Sequence, residues 1–148
     1  MKKKIPSKYN FTTRYLDKIY STEEFSKLID KLAKRLNTFY KKHSFDAIAF
    51  TGSSGAAVAY PLSYKCNIPL ICIRKGHSHF GCTYEGRTDI KNYIIIDDFI
   101  ETGATIKRIK KEVKKVSKNA KLQAIFLYAG GSQGTYLDRY DTTVINVK

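Results

Sequence analysis

YIIIDDFIETGAT, residues 93–105, is the stretch on which the reading of this chain turns. Tyr93, Ile94, Ile95 and Ile96 make an apolar run of strand length without polar alternation, the pattern of a strand covered on both faces of a parallel sheet. Asp97 and Asp98 end that run, and Glu101, Thr102, Gly103, Ala104 and Thr105 form a turn that opens a helical pattern. The chain has 27 Lys+Arg against 13 Asp+Glu, a formal charge of +14. Three acids gathered at the end of a buried strand in such a chain raise the question of what they hold.

The same unit recurs in both directions. DAIAF (46–50) runs into TGSSGA, whose serines and glycine open a helix toward Tyr64 that Pro61 is expected to kink or cut. IPLICIR (68–74), NYIIID (92–97) and LQAIFLY (122–128) read as further buried strands, and TTVINV as a last one. Helical spacing covers Thr105 to Lys118. Upstream, STEEFSKLIDKLAKRLNTFYKK begins with a capping box, Ser21 and Glu24, and places Phe25, Leu28, Ile29, Leu32, Leu36 and Phe39 on one stripe. Short apolar runs alternating with helices predict an α/β fold: one domain over residues 1–148, a mainly parallel twisted sheet flanked by helices, with its core at about 44–128. Residues 75–91 and 129–141 read as irregular, and long loops are where lids and binding segments sit.

Composition bounds the function. With 43% hydrophobic and 13% aromatic residues among 148, the chain is globular in character and of a size for one domain. No apolar run approaches the roughly 20 residues of a membrane span, and the polar sequence after Met1-Lys2-Lys3-Lys4 lacks the apolar region of a signal peptide, so a cytoplasmic location is expected. Cys66, Cys72 and Cys82 are odd in number and lack CxxC spacing, which reads as reduced thiols used in packing. The positive charge attracts nucleic acid, acidic membrane and phosphorylated small molecules alike. In IKRIKKEVKKVSKNAK, Ile106, Ile109, Val113 and Val116 keep an apolar stripe and the basic residues fill the other face. No base-stacking aromatics are interleaved there, so support for nucleic-acid binding is weak at this level.

In a parallel sheet, ligands gather beyond the carboxyl ends of the strands, and TGSSG, RKGH and DDFIETGAT all fall there. A glycine and hydroxyl turn entering a helix presents backbone N–H groups to a phosphate. Asp97 and Asp98 can accept hydrogen bonds from vicinal sugar hydroxyls or help hold Mg²⁺ through water. The plainer alternative has Asp98 capping the helix and Asp97 in a surface ion pair. A phosphorylated sugar accounts for the acids and the turn together.

IIIDDFIETGAT also resembles the signature of the type I phosphoribosyltransferases, enzymes that use 5-phosphoribosyl 1-pyrophosphate (PRPP) with Mg²⁺. FTGSSGAAVA resembles that family's pyrophosphate loop, and IRK the strand end whose basic residues contact pyrophosphate, so the likeness covers about residues 46–128. The resemblance implies that Asp97 and Asp98 meet the ribose hydroxyls and the metal, and that Glu101, Thr102, Gly103, Ala104 and Thr105 enclose the 5′-phosphate. Thr51, Gly52, Ser53, Ser54 and Gly55 would turn beside the leaving group, with Arg74 and Lys75 neutralising it. GHSHFGCTYEGRTD occupies the place of a mobile catalytic loop, which makes His77 and His79 candidate pyrophosphate contacts.

The implied reaction is displacement of pyrophosphate from PRPP by a nucleobase nitrogen. Glu101 matches an acid that faces the base in members acting on hypoxanthine and guanine, which favours a purine. Against that branch, Tyr128 and Ala129 stand where its base-reading lysine belongs. Tyr128 and Tyr136 are available for stacking, and a small hood over the base is expected from the N-terminal segment, from 129–148, or from both. A homodimer is implied. The alternative is a PRPP- or nucleotide-sensing regulator with weak catalysis that binds nucleic acid through its basic surface.

Overall fold

Ile94, Ile95 and Ile96 are all but inaccessible to solvent, as a strand without polar alternation requires. They belong to β4 (Asn92–Asp97), next to the middle of one sheet formed with β1 (Ala47–Thr51), β2 (Leu70–Ile73), β3 (Tyr84–Gly86), β5 (Lys121–Leu127) and β6 (Thr143–Asn146). The computed structural model describes residues 16–76, 81–130 and 142–147. Strand order is β3-β2-β1-β4-β5-β6, with every neighbouring pair parallel except the antiparallel β2–β3 edge.

The pleat sends alternate residues of each strand into two separate cores. Ile48, Phe50, Ile94, Ile96, Ala124 and Phe126 face one side. There they pack under α2 (Thr22–Tyr40) and α3 (Gly52–Cys66), while Leu16 and Ile19 of the short α1 region (Asp17–Tyr20) lie at the margin. Ala47, Ala49, Ile71, Ile73, Ile95 and Ile125 face the other side, under Ile106, Ile109 and Val113 of α4 (Ala104–Val116). α3 carries the chain from β1 to β2 on one side of β1, whereas β4 pairs with β1 on the other. This reversal of direction opens a crevice at the carboxyl ends of β1 and β4.

Several local expectations give way. Ser21 stands at the N-cap of α2 without a side-chain capping bond; its carbonyl instead accepts Phe25 N–H at 2.7 Å. Pro61 does not end α3, which runs to Cys66 and stops at Asn67 in the left-handed conformation. Proline removes one helical hydrogen bond, a loss offset here because Val58, Ala59 and Leu62 around it are buried in the core. The expected irregular stretch 75–91 contains β3, whereas β6 (Thr143–Asn146) falls within the TTVINV run read as a last strand. Cys66 and Cys72 pack against the core as expected, but Cys82 is exposed. No helix among the described residues is long and apolar enough to cross a membrane.

Because β4 contributes to both cores, truncating it is costly. Ile94→Ala is expected to lower unfolding free energy by about 2–5 kcal/mol, read as a shift of the urea midpoint at unchanged slope.

Candidate active site

Asp97 is the last residue of β4 and Asp98 the first beyond it, and both are buried, at 6% and 7% exposure. The main chain fixes the pair from two sides. Asp98 N–H donates to Asp97 Oδ1 and Phe99 N–H to Asp98 Oδ1, each at 2.9 Å. From the end of β5, Tyr128 N–H and Ala129 N–H donate to the carbonyls of Asp97 and Asp98. Two carboxyls held this close in a dry place cannot both ionise freely. The pKa of Asp97 is pushed up to about 7, first by burial and then by the hydrogen bond and charge of Asp98, while the Asp98 N–H and the Lys75 ammonium pull it down.

The turn after the pair leads into α4. Gly103 takes φ +80°, a conformation that favours glycine, and stands at the N-cap of α4. Thr102 Oγ1 accepts Ala104 N–H at 3.3 Å. Asp97 through Ile106 line a cleft of about 210 Å³ together with Thr51, Ser54 and Lys75. The helix N-terminus gives that cleft a donor-rich, positive wall, fitted to an anion, and the carboxyls give it an acceptor wall.

Lys75 belongs to the cleft and Arg74 does not. Arg74 Nη2 donates to Glu85 Oε2 at 2.6 Å, an ion pair with the neighbouring strand, because successive residues of an extended segment point to opposite sides. Lys75 instead lies over Gly52, where a Cβ would meet Lys75 Nζ at 3.6 Å and φ is +67°. The expected loop Thr51–Gly55 is already helix from Gly52 onward. Thr51 and Ser54 reach the cleft, although the Thr51 hydroxyl donates to Ile73 carbonyl at 2.6 Å. Ser53 points outward, and Gly55 is buried where a Cβ would stand 3.2 Å from Phe50 Cβ, so its smallness serves helix-on-strand packing.

Tyr128 is corrected as well: it is 3% exposed within the core and its hydroxyl donates to Ser54 carbonyl at 2.6 Å, so its ring is not offered for stacking. It ties β5 to the first turn of α3. Phe99, Ile100 and Ile106 complete the cleft wall; the sequence marked Ile106 only as part of an apolar helix stripe and the other two not at all, although all three lie in or beside the decisive stretch. His77, His79 and Tyr136 lie outside the described residues.

The donor set suits magnesium of one kind. Among the described residues no group of three or more His, Cys, Asp or Glu could cage a metal. Two adjacent carboxylates fit an ion that keeps waters and takes its remaining oxygens from a phosphorylated ligand, as Mg²⁺ commonly does.

A switch-point cleft with an acidic pair, a phosphate-type turn and a lysine is the arrangement of a phosphoribosyltransferase-like site. A family model described as PRTase-CE matches residues 9–147, and the chain belongs to that family. It is 30% identical over 105 residues to an adenine phosphoribosyltransferase of Treponema denticola, covering 60% of this chain and 53% of that one. It is 30% identical over 122 residues to that of Borrelia garinii subsp. bavariensis, covering 70% and 69%. The chain thus spans about half the length of the Treponema relative. Among solved structures, a crystal structure of adenine phosphoribosyltransferase superposes with TM-score 0.71 at 19% identity, covering 90% of this chain and 85% of that one. Orotate phosphoribosyltransferase from Aeropyrum pernix gives 0.65 at 18%, covering 84% and 71%. These likenesses establish the fold.

The raised pKa of Asp97 has a direct consequence. The folded state holds a proton that the unfolded chain releases above its ordinary value of 3.8, so this stability is present below that pH and is lost as pH rises through about 7. Asp97→Asn removes the loss. In thermal melts of ligand-free protein, the melting temperature of the variant minus that of wild type is expected to climb between about pH 4 and 7 and then level off; a flat difference would contradict the burial argument.

Proposed function

We propose that this chain transfers the 5-phosphoribosyl group of PRPP to a purine, adenine foremost, with release of pyrophosphate. The observation that carries the reading is the convergence of Asp97, Asp98, the Glu101–Thr105 turn and Lys75 on one cleft. In this reading the first amides of α4 and the hydroxyls of Thr102 and Thr105 take the 5′-phosphate, while the carboxyls of Asp97 and Asp98 accept from the ribose hydroxyls. The base nitrogen forms a bond to the anomeric carbon as the bond to the pyrophosphate oxygen breaks, and the electron pair leaves with pyrophosphate. Lys75 stands beside Gly52 to meet that developing charge. Asp97 and Asp98 would hold Mg²⁺ through water, and the ion would supply further positive charge to the leaving group. Arg74 takes part only on releasing Glu85.

Glu101 lines the cleft and is exposed, placed to take the proton lost from the base's imidazole ring. Adenine is favoured over the oxopurines for two reasons. The curated relatives carry that name. Adenine also presents an exocyclic amino donor instead of an oxo acceptor, so it needs no lysine where the chain has Tyr128 and Ala129.

We further propose a homodimer formed through α3. Tyr60 and Tyr64 are 60% and 94% exposed on a helix whose only charged residue is Lys65. Two chains of charge +14 repel, and an uncharged face is where they meet at the least electrostatic cost.

Three measurements test these readings. PRPP with Mg²⁺ and a panel of bases is expected to yield pyrophosphate and nucleotide with adenine. The double variant Asp97→Asn/Asp98→Asn is expected to lose on the order of 10³-fold in kcat/KM while its far-UV circular dichroism stays native; full activity in that variant would refute the assignment. Tyr64→Lys is expected to shift the light-scattering mass from dimer to monomer.

A further inference from the structure

Helix α4 carries a concentration of charge that the proposed reaction does not use. Lys107, Arg108, Lys110, Lys111, Lys114 and Lys115 lie within it, and Lys118 follows just past its end. The only acid on the helix is Glu112, which is buried and already engaged by Lys115 Nζ at 2.7 Å and Thr83 Oγ1 at 2.8 Å. The charge of α2 is handled differently: Lys27 lies beside Glu23 and Glu24, and Asp30 pairs with Lys65 of α3.

Lys107, Lys111 and Lys114 are exposed, and no ion pair engages them among the described residues. With about 100° and 1.5 Å per residue, the three fall within an arc of about 60° and span about 10 Å of axis. That is the rise of about three phosphates along one strand of a duplex, at about 3.4 Å each. Arg108, half-buried, flanks this stripe, and its Nε and Nη2 are buried without an acceptor among the described residues. Guanidinium N–H groups shielded from water and unused are costly, and a side-chain rotation onto a phosphate would satisfy them.

We propose that this face of α4 binds the sugar–phosphate backbone of a nucleic acid. An anionic membrane fits less well, because interfacial helices insert apolar side chains, and the apolar residues of α4, Ile106, Ile109 and Val113, are buried against the sheet. An acidic protein fits less well too, since protein interfaces rest on aromatic or aliphatic anchors and the exposed stripe offers only lysines.

The test is fluorescence anisotropy of a labelled oligonucleotide of about 20 nucleotides, as duplex and as single strand, titrated with the full chain from about 50 to 200 mM salt. The wild type is expected to bind at least one form with log K falling steeply with log salt. Lys107→Gln/Lys111→Gln/Lys114→Gln is expected to weaken binding more than 10-fold at the low-salt end and to make the slope shallower by about 2–3. Lys31→Gln/Lys34→Gln/Lys41→Gln removes the same charge from exposed positions on α2 and its C-cap, and is expected to lose much less. Equal losses in the two variants would overturn the proposal, since net charge alone would then explain binding. Absence of binding to both oligonucleotide forms would overturn it too, as would binding to phosphatidylserine vesicles in their place.

Discussion

The burial of Asp97 is the constraint to which the rest of the site answers. A carboxyl at the end of a central parallel strand lies under helices on both faces, where its charge is poorly solvated. The fold manages this with main-chain donors, with a hydrogen bond to the neighbouring Asp98 that favours the protonated form of Asp97, and with one lysine from beyond the end of β2, two strands away. None of these settles the charge fully, which is why its pKa stands near neutrality. A site left under electrostatic tension is a site prepared for a ligand. In the proposed function its partners are hydroxyl donors or a cation.

Support for that pair extends through the sheet. Register places Asp97 beside Leu127 of β5, and the two residues that follow β5, Tyr128 and Ala129, hold the carbonyls of both acids. Tyr128 then reaches across to Ser54, so the carboxyl end of β5, the acidic pair and the first turn of α3 form one connected unit. The cleft walls are therefore attached to rigid strands and helix ends rather than to a free loop, as the positioning of a reacting sugar requires.

The strands were legible because each central one is a run of residues that must be dry on both faces, and no other short element carries that pattern. β3 was hidden because Tyr84–Gly86 is three residues of mixed polarity at an edge, half solvated by construction. Pro61 misled because local propensity yields to the burial of a whole helix face. The acidic pair and the turn were readable, since their chemistry is contiguous in the chain. What depends on the direction of a side chain was not: Arg74 and Lys75 are equivalent as letters, and only the pleat sends one to Glu85 and the other to the cleft. Tyr128 looked like a stacking surface for the same reason, and its partner lies 74 residues away in sequence.

The distribution of charge completes the logic of the molecule. The chain as a whole is strongly positive, yet among the described residues the cleft lining holds three carboxyls, Asp97, Asp98 and Glu101, against one ammonium, Lys75. The outer field draws polyanions toward the surface at long range, while the cleft itself repels a bare one at contact. Under the proposed function, a phosphorylated sugar would enter favourably only with a proton or a cation to bridge it to the acids, so its binding would be coupled to their protonation and to magnesium. The helix N-terminus of α4 supplies the one wall that favours phosphate unconditionally, through fixed amide dipoles that do not titrate. In the proposed reading this sets the orientation: the phosphate end of the ligand goes to the amides, and the hydroxyl-bearing ring goes to the acids.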